Sequence, residues 1–158
     1  MDRKVKGYTI FELLVVVVII SILAGAFLMG LRNMVLRERL YSAMTQVAND
    51  IKEVQFRSIS SNATWGIRLC RGSEQYKIFT VQSGCQDATP NCTNDSSTQR
   101  LVSLPSGVVP DNDFCVVFDR RGYPLNCGCG LGMGSVTLKN AYGSRIVILN
   151  RLGRVRYE

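Results

Sequence analysis

The stretch Lys6-Gly7-Tyr8-Thr9-Ile10-Phe11-Glu12-Leu13-Leu14 opens an apolar run that reaches Leu31. Of the 24 residues from Tyr8 to Leu31, only Glu12 is normally ionised. A run of this length and composition can span a bilayer as a helix. A carboxylate near the start of such a run is costly to bury, so it marks a functional position and requires a partner. The segment before it, residues 1–7, is short and basic, with Arg3, Lys4 and Lys6 against Asp2. It is not a standard secretory leader, because the apolar region follows the cleavage point and no A-x-A site closes that region.

The helix is expected to continue beyond Leu31. Leu40, Met44, Val47, Ile51 and Val54 recur at three- and four-residue steps and form one apolar stripe. Arg37, Glu38, Gln46, Asp50, Lys52 and Glu53 occupy the other faces, and no Pro or Gly interrupts Leu31 to Ser61. The pattern predicts one helix from about Tyr8 to about Ser60, on the order of 80 Å long at the usual rise per residue. Ser60-Ser61-Asn62 is its expected end.

The remaining residues read as a β-rich head with enough chain for one modest core. Thr64–Cys70 and Gln75–Gln82 have strand composition. Ser83–Gln99 is a polar loop long enough to need a staple or a function. Arg100–Leu104 is a short strand, and Pro105-Ser106-Gly107 turns the chain. Phe114–Phe118 and Tyr123–Cys127 form a hairpin around Asp119-Arg120-Arg121-Gly122, with Gly122 in the left-handed position of a type I turn. Gly128–Gly134 is expected to be a flexible loop before a strand at Ser135–Lys139, since its glycines do not follow the dinucleotide-binding spacing. Arg145–Leu149 leads through Asn150-Arg151-Leu152-Gly153, a second turn with glycine in the same place, to Arg154–Glu158, which closes the sheet. Alternation puts Arg154 and Arg156 on one face and Val155 and Tyr157 on the other.

Six cysteines, Cys70, Cys85, Cys92, Cys115, Cys127 and Cys129, all follow the apolar helix. An even number in a small exported domain points to disulfides in an oxidising compartment. The hairpin register favours Cys115–Cys127, with Cys129 the competitor. Cys85 and Cys92 are expected to staple their loop, to each other or to Cys70. The spacings of Cys85/Cys92 and Cys127/Cys129 do not suit zinc. There is no histidine among the 158 residues, and neither a nucleophile motif nor paired carboxylates point to an enzyme. No catalytic residue, metal or cofactor is expected. The net charge of +7 falls to +5 without residues 1–7, which suits DNA or another acidic surface.

Lys6 to Val16 resembles the class III signal of type IV pilins and type II secretion pseudopilins. The resemblance implies cleavage by a prepilin peptidase after Gly7 and N-methylation of Tyr8. It also implies that Glu12 neutralises the terminal amine of a neighbouring subunit during assembly. The family usually has Phe where Tyr8 stands. The absence of proline from the apolar run favours a minor subunit. Phe118–Pro124, Gly134–Leu138, Ile146–Leu149 and Gly153-Arg154-Val155-Arg156 resemble the head of the GspH/FimT group of minor pilins and pseudopilins. Some members of that group bind DNA through a Gly-Arg-x-Arg motif, which Gly153, Arg154 and Arg156 match. Arg151 stands in the adjacent turn. The cysteine-rich segment Cys70–Asn94 has no counterpart in the group.

The expected fold is therefore α+β, a long N-terminal helix packed on a C-terminal antiparallel sheet, as in type IV pilins. Residues 1–7 are the leader and residues 8–31 the transmembrane or filament-core helix. Residues 32–61 are its amphipathic second half, and residues 62–158 the disulfide-bonded head. The expected place is the inner membrane, with a single pass and a periplasmic head, and then a filament up to the cell surface. The expected partners are prepilin peptidase, other pilins or pseudopilins, the inner membrane and DNA.

Overall fold

The computed structural model describes residues 9–81, 84–85 and 92–158. One helix, α1, spans Ile10–Ser60. Thr9 caps it: its Oγ1 accepts the Glu12 N–H at 3.3 Å and its carbonyl accepts the Leu13 N–H at 3.2 Å. The helix stops where Asn62 turns left-handed at φ 50°, a conformation that asparagine tolerates better than most residues. By internal contacts the chain divides into two units, with the boundary between Val35 and Leu36.

In the first unit the described residues from Ile10 onward are helix. Its described apolar side chains, from Ile10 to Val35, are all exposed. The second unit carries nine strands among the described residues. They are β1 (Thr64–Leu69), β2 (Gln75–Val81), β3 (Thr98–Ser103), β4 (Val109–Pro110), β5 (Phe114–Phe118), β6 (Pro124–Asn126), β7 (Gly134–Lys139), β8 (Ser144–Leu149) and β9 (Val155–Tyr157). They form two antiparallel sheets rather than one, ordered β3-β2-β1-β5-β6 and β4-β7-β8-β9. The short β4, not expected from sequence, pairs Val109 and Pro110 with Lys139 and Leu138.

The apolar stripe of α1 joins the two sheets. Leu40, Met44, Val47, Ile51 and Val54 are buried in one cluster with Ile67, Tyr76, Val116 and Phe118 of the larger sheet and Val136, Leu138, Val147 and Leu149 of the smaller. Polar groups fasten the helix to the β3 side. Gln46 Nε2 donates to Tyr76 Oη at 3.1 Å and to the Ser103 carbonyl at 3.0 Å. Tyr76 Oη donates to Asp50 Oδ2 at 2.5 Å. Burial, followed by that carboxylate, pushes the Tyr76 phenol well above its ordinary value, so it stays a donor. Arg100 Nη2 bridges Asp50 at 3.1 Å and Glu53 at 3.2 Å.

The outer face of the larger sheet has a small core of its own. Phe79, Cys85 and Val117 are buried there, with Val81, Cys115, Leu125 and Cys127 packed against them. Lys77 shares this face and is fully buried, with Nζ 2.8 Å from Asp95 Oδ2 and 5.3 Å from the Phe79 ring centre. The disulfides are Cys70–Cys92, Cys85–Cys129 and Cys115–Cys127. The hairpin pairing thus holds, and so does the staple from Cys92 to Cys70. Cys85, however, reaches neither of its expected partners. It bonds instead to Cys129, in the turn after β6. That turn is fastened rather than free. Asn126 Oδ1 accepts the Gly128 and Gly130 N–H groups, Leu131 bridges to Leu125, and a side chain at Gly132 would run into the Pro124 backbone.

Two predictions follow from this packing. A Cβ at Gly66 would collide with the Phe79 ring. Gly66→Ala is expected to cost about 1–3 kcal/mol by overpacking, read as a lower urea midpoint, and Phe79→Leu in the same chain should recover part of it. Glu53 is the second site. Partial burial would raise its carboxyl, but the Arg57 hydrogen bond and the charges of Arg100 and Arg57 together hold it below the ordinary range. A lowered carboxyl contributes stability that is complete above its unfolded value, about 4.3, and is lost as pH falls through the lowered one. Solvent screening limits that contribution to about 1 kcal/mol or less. Urea titrations should therefore separate the native chain from Glu53→Gln at neutral pH and bring the two together near pH 3.

Candidate functional site

Two places carry the chemistry expected from the sequence. The first is the start of α1. Gly7 and Tyr8 lie outside the described residues. Glu12 is in the first turn of the helix, three residues after the capping Thr9. That spacing is the capping-box pattern, a signal readable in the sequence and overlooked there. A carboxylate in the first turn also lies at the positive end of the helix dipole.

The second place is built by two turns of the same design. In the first, Gly122 N–H donates to the Asp119 carbonyl at 2.9 Å, and Asp119 Oδ1 accepts the N–H groups of Arg121 and Tyr123. In the second, Gly153 N–H donates to the Asn150 carbonyl at 3.1 Å, and Asn150 Oδ1 accepts the N–H groups of Leu152 and Arg154. Gly122 and Gly153 have φ of 80° and 76°, which only glycine adopts without strain. The turns meet at Gln55 of α1. Its Nε2 donates to the Gly122 carbonyl at 2.9 Å, and its amide fills the space where a Gly153 side chain would stand.

This docking gathers cations from three elements. Arg120 and Arg121 come from the first turn, Arg154 and Arg156 from the second turn and β9, and all four are exposed. Arg154 and Arg156 line an open cleft of about 630 Å³ with Lys52 and Gln55 of α1, Gly153 and Val155. Arg151 is directed elsewhere, with Nε donating to Met133 Sδ at 3.2 Å. The structure therefore brings Gly153, Arg154 and Arg156 together and leaves Arg151 out of the cleft. It adds Lys52, which sequence spacing alone could not connect to a strand about a hundred residues away. Guanidinium groups so arranged present paired donors suited to phosphate or carboxylate oxygens. All six cysteines are in disulfides, which leaves no thiolate for a metal. Among the described residues no other cluster of metal-ligating side chains occurs.

Residues 2–28 match the model of the prokaryotic N-terminal methylation motif. No curated protein sequence matches the chain significantly. The type IV minor pilin FimU of Pseudomonas aeruginosa has a similar solved structure, with a TM-score of 0.55 at 12% identity over 77% of this chain and 90% of that one. The minor pseudopilin EpsH from the type 2 secretion system of Vibrio cholerae is similar as well, with a TM-score of 0.53 at 9% identity over 76% of this chain and 96% of that one. At such identities the likeness speaks for the fold. The chain thus joins an N-terminal methylation motif at residues 2–28 to the fold that FimU and EpsH share.

Proposed function

We propose that the protein is a minor pilin, inserted in the inner membrane through α1, processed after Gly7 and assembled with other pilins into a type IV pilus. Its role is structural rather than catalytic. The observation that carries this reading is the methylation motif at residues 2–28, which includes Gly7, Tyr8 and Glu12. Among the described residues one helix is long and apolar enough to cross a membrane, and its exposed apolar side chains need lipid or other helices around them. Cutting after Gly7 frees the Tyr8 amine. Buried beside other helices, that ammonium and the Glu12 carboxylate are each expensive alone, and pairing offsets part of the cost. A minor pseudopilin of a type II secretion system would use the same handle, and the fold of EpsH suits that role equally.

The cationic cleft favours a second property for the same subunit, binding of DNA by Arg154 and Arg156 with Lys52. Arg120 and Arg121 in the neighbouring turn extend the positive surface. This reading is phosphate recognition without base readout, so the affinity would be strongly salt-dependent.

Mass spectrometry of the mature chain should find Tyr8 N-methylated at the terminus, and an intact Met1–Gly7 would reject the assignment. Glu12→Ala should insert in the membrane normally yet be depleted from sheared filaments, since leaving a buried ammonium unpaired costs about 3 kcal/mol or more. Thr9→Ala, which removes only the cap, should lose far less. For DNA, gel shifts across a salt series should show weaker binding by Arg154→Ala with Arg156→Ala. The slope of log affinity against log salt should fall by about 1 for each phosphate contact removed, and an unchanged slope would remove these arginines from the site.

A further inference from the structure

The two flanks of α1 in the second unit differ. Towards β3 the helix is tied down by Gln46, Asp50 and Glu53. Towards β9, among the described residues, no hydrogen bond joins helix positions 37–52 to β8 or β9, and two clefts lie along that flank. The upper cleft is the one bordered by Lys52, Arg154 and Arg156. The lower one, about 400 Å³, is lined by Arg37, Tyr41, Met44, Tyr142, Arg145 and Tyr157. Its three tyrosines are about half-exposed, at 54%, 48% and 48%.

Between the clefts runs the free edge of the smaller sheet. β9 is the last strand in the order β4-β7-β8-β9. Ile146 and Glu158 exchange both N–H···O bonds at 3.0 Å, and Asn150 N–H donates to the Arg154 carbonyl at 3.1 Å. In an antiparallel pair, bonded and non-bonded positions alternate. Val155 and Tyr157 face Leu149 and Val147, so they hold the non-bonded positions. Their N–H and C=O groups therefore turn away from β8, towards the open side.

We propose that this edge receives an extended segment of another protein chain, added as a fifth strand, with apolar and acidic residues in alternation. Strand addition of this kind draws affinity from main-chain bonds and specificity from alternate side chains. The α1-facing side of β9 is apolar, with Val155 packed on the core and Tyr157 in the lower cleft. Arg154 and Arg156 alternate with them along the chain and border the upper cleft with Lys52, so they would stand beside alternate residues of an incoming strand. Five cations border the groove, Arg37, Lys52, Arg145, Arg154 and Arg156, against Glu38 and Glu158. Charges on an edge strand normally prevent pairing. Here they reject neutral and basic strands and admit an acidic one, so the same arginines set partner choice. The inference does not depend on DNA binding.

The test uses the full chain in detergent micelles and capped peptides of about eight residues, long enough for one strand. One peptide alternates valine and glutamate, a second alternates valine and lysine, and a third is the first with its bonding edge N-methylated. Amide exchange at Val155 and Tyr157 should slow by about tenfold or more with the first peptide alone. No slowing, or equal slowing by the lysine or N-methylated peptide, overturns the proposal. Slowing by duplex DNA but not by the peptide would assign the groove to nucleic acid and overturn it equally. Val155→Pro deletes one outward N–H without removing a β8–β9 bond and should abolish the effect at an unchanged unfolding midpoint. If that midpoint falls, Arg156→Glu decides instead. It should shift the preference to the lysine peptide, and an unaltered preference for glutamate would count against the groove.

Discussion

Burial of one helix stripe against two sheets at once is the constraint on which the rest of the head depends. Each sheet is too small to close on itself, and each turns an apolar face to the helix. The stripe from Leu40 to Val54 is the surface that both faces share, so α1 acts as the central beam of a single core. Such burial is worth roughly 1.5–3 kcal/mol for each large aliphatic side chain, but it has no direction. The polar groups beside the stripe supply that. Gln46, Asp50 and Glu53 fix the helix against β3, and Gln55 fixes it against the two glycine turns. The flank left open is the one along β9.

The same helix meets a different requirement in the first unit. There no stripe exists, because every face is apolar, and a helix apolar on all sides is made for lipid or for a bundle of helices. Nothing in the described residues covers it. Glu12 stands in the first turn of this segment, where its backbone N–H is taken by the capping Thr9.

The helix, its end at Ser60–Asn62 and the buried face were legible because 3.6-residue periodicity reports burial directly. The two hairpins were legible too, since a left-handed glycine after Asp-Arg-Arg or Asn-Arg-Leu leaves few alternatives, and the first of them set the Cys115–Cys127 register. The division into two sheets was not, because pairing partners distant in sequence leave no local trace. For the same reason the Cys85–Cys129 bond was missed: it joins positions 44 residues apart. In the candidate site, Arg154 and Arg156 were visible as an alternating pair. Lys52 was not, since it reaches their cleft only once Gln55 has docked both turns.

Lys77 shows how thin the outer layer is in a chain this small. It is fully buried there, and its charge is satisfied by Asp95, whose other oxygen accepts from Ser97 and Thr98. A layer held by Phe79 and Val117 alone has too little apolar area to stay closed. Two of the three disulfides lie in that layer, and the third ties Cys70 to Cys92 beside the Arg68 carbonyl. Cross-links stabilise chiefly by restricting the unfolded chain, so they are most useful where packing contributes least. The cysteines thus stand where a third layer would otherwise be needed, on the face of the sheet that α1 does not reach.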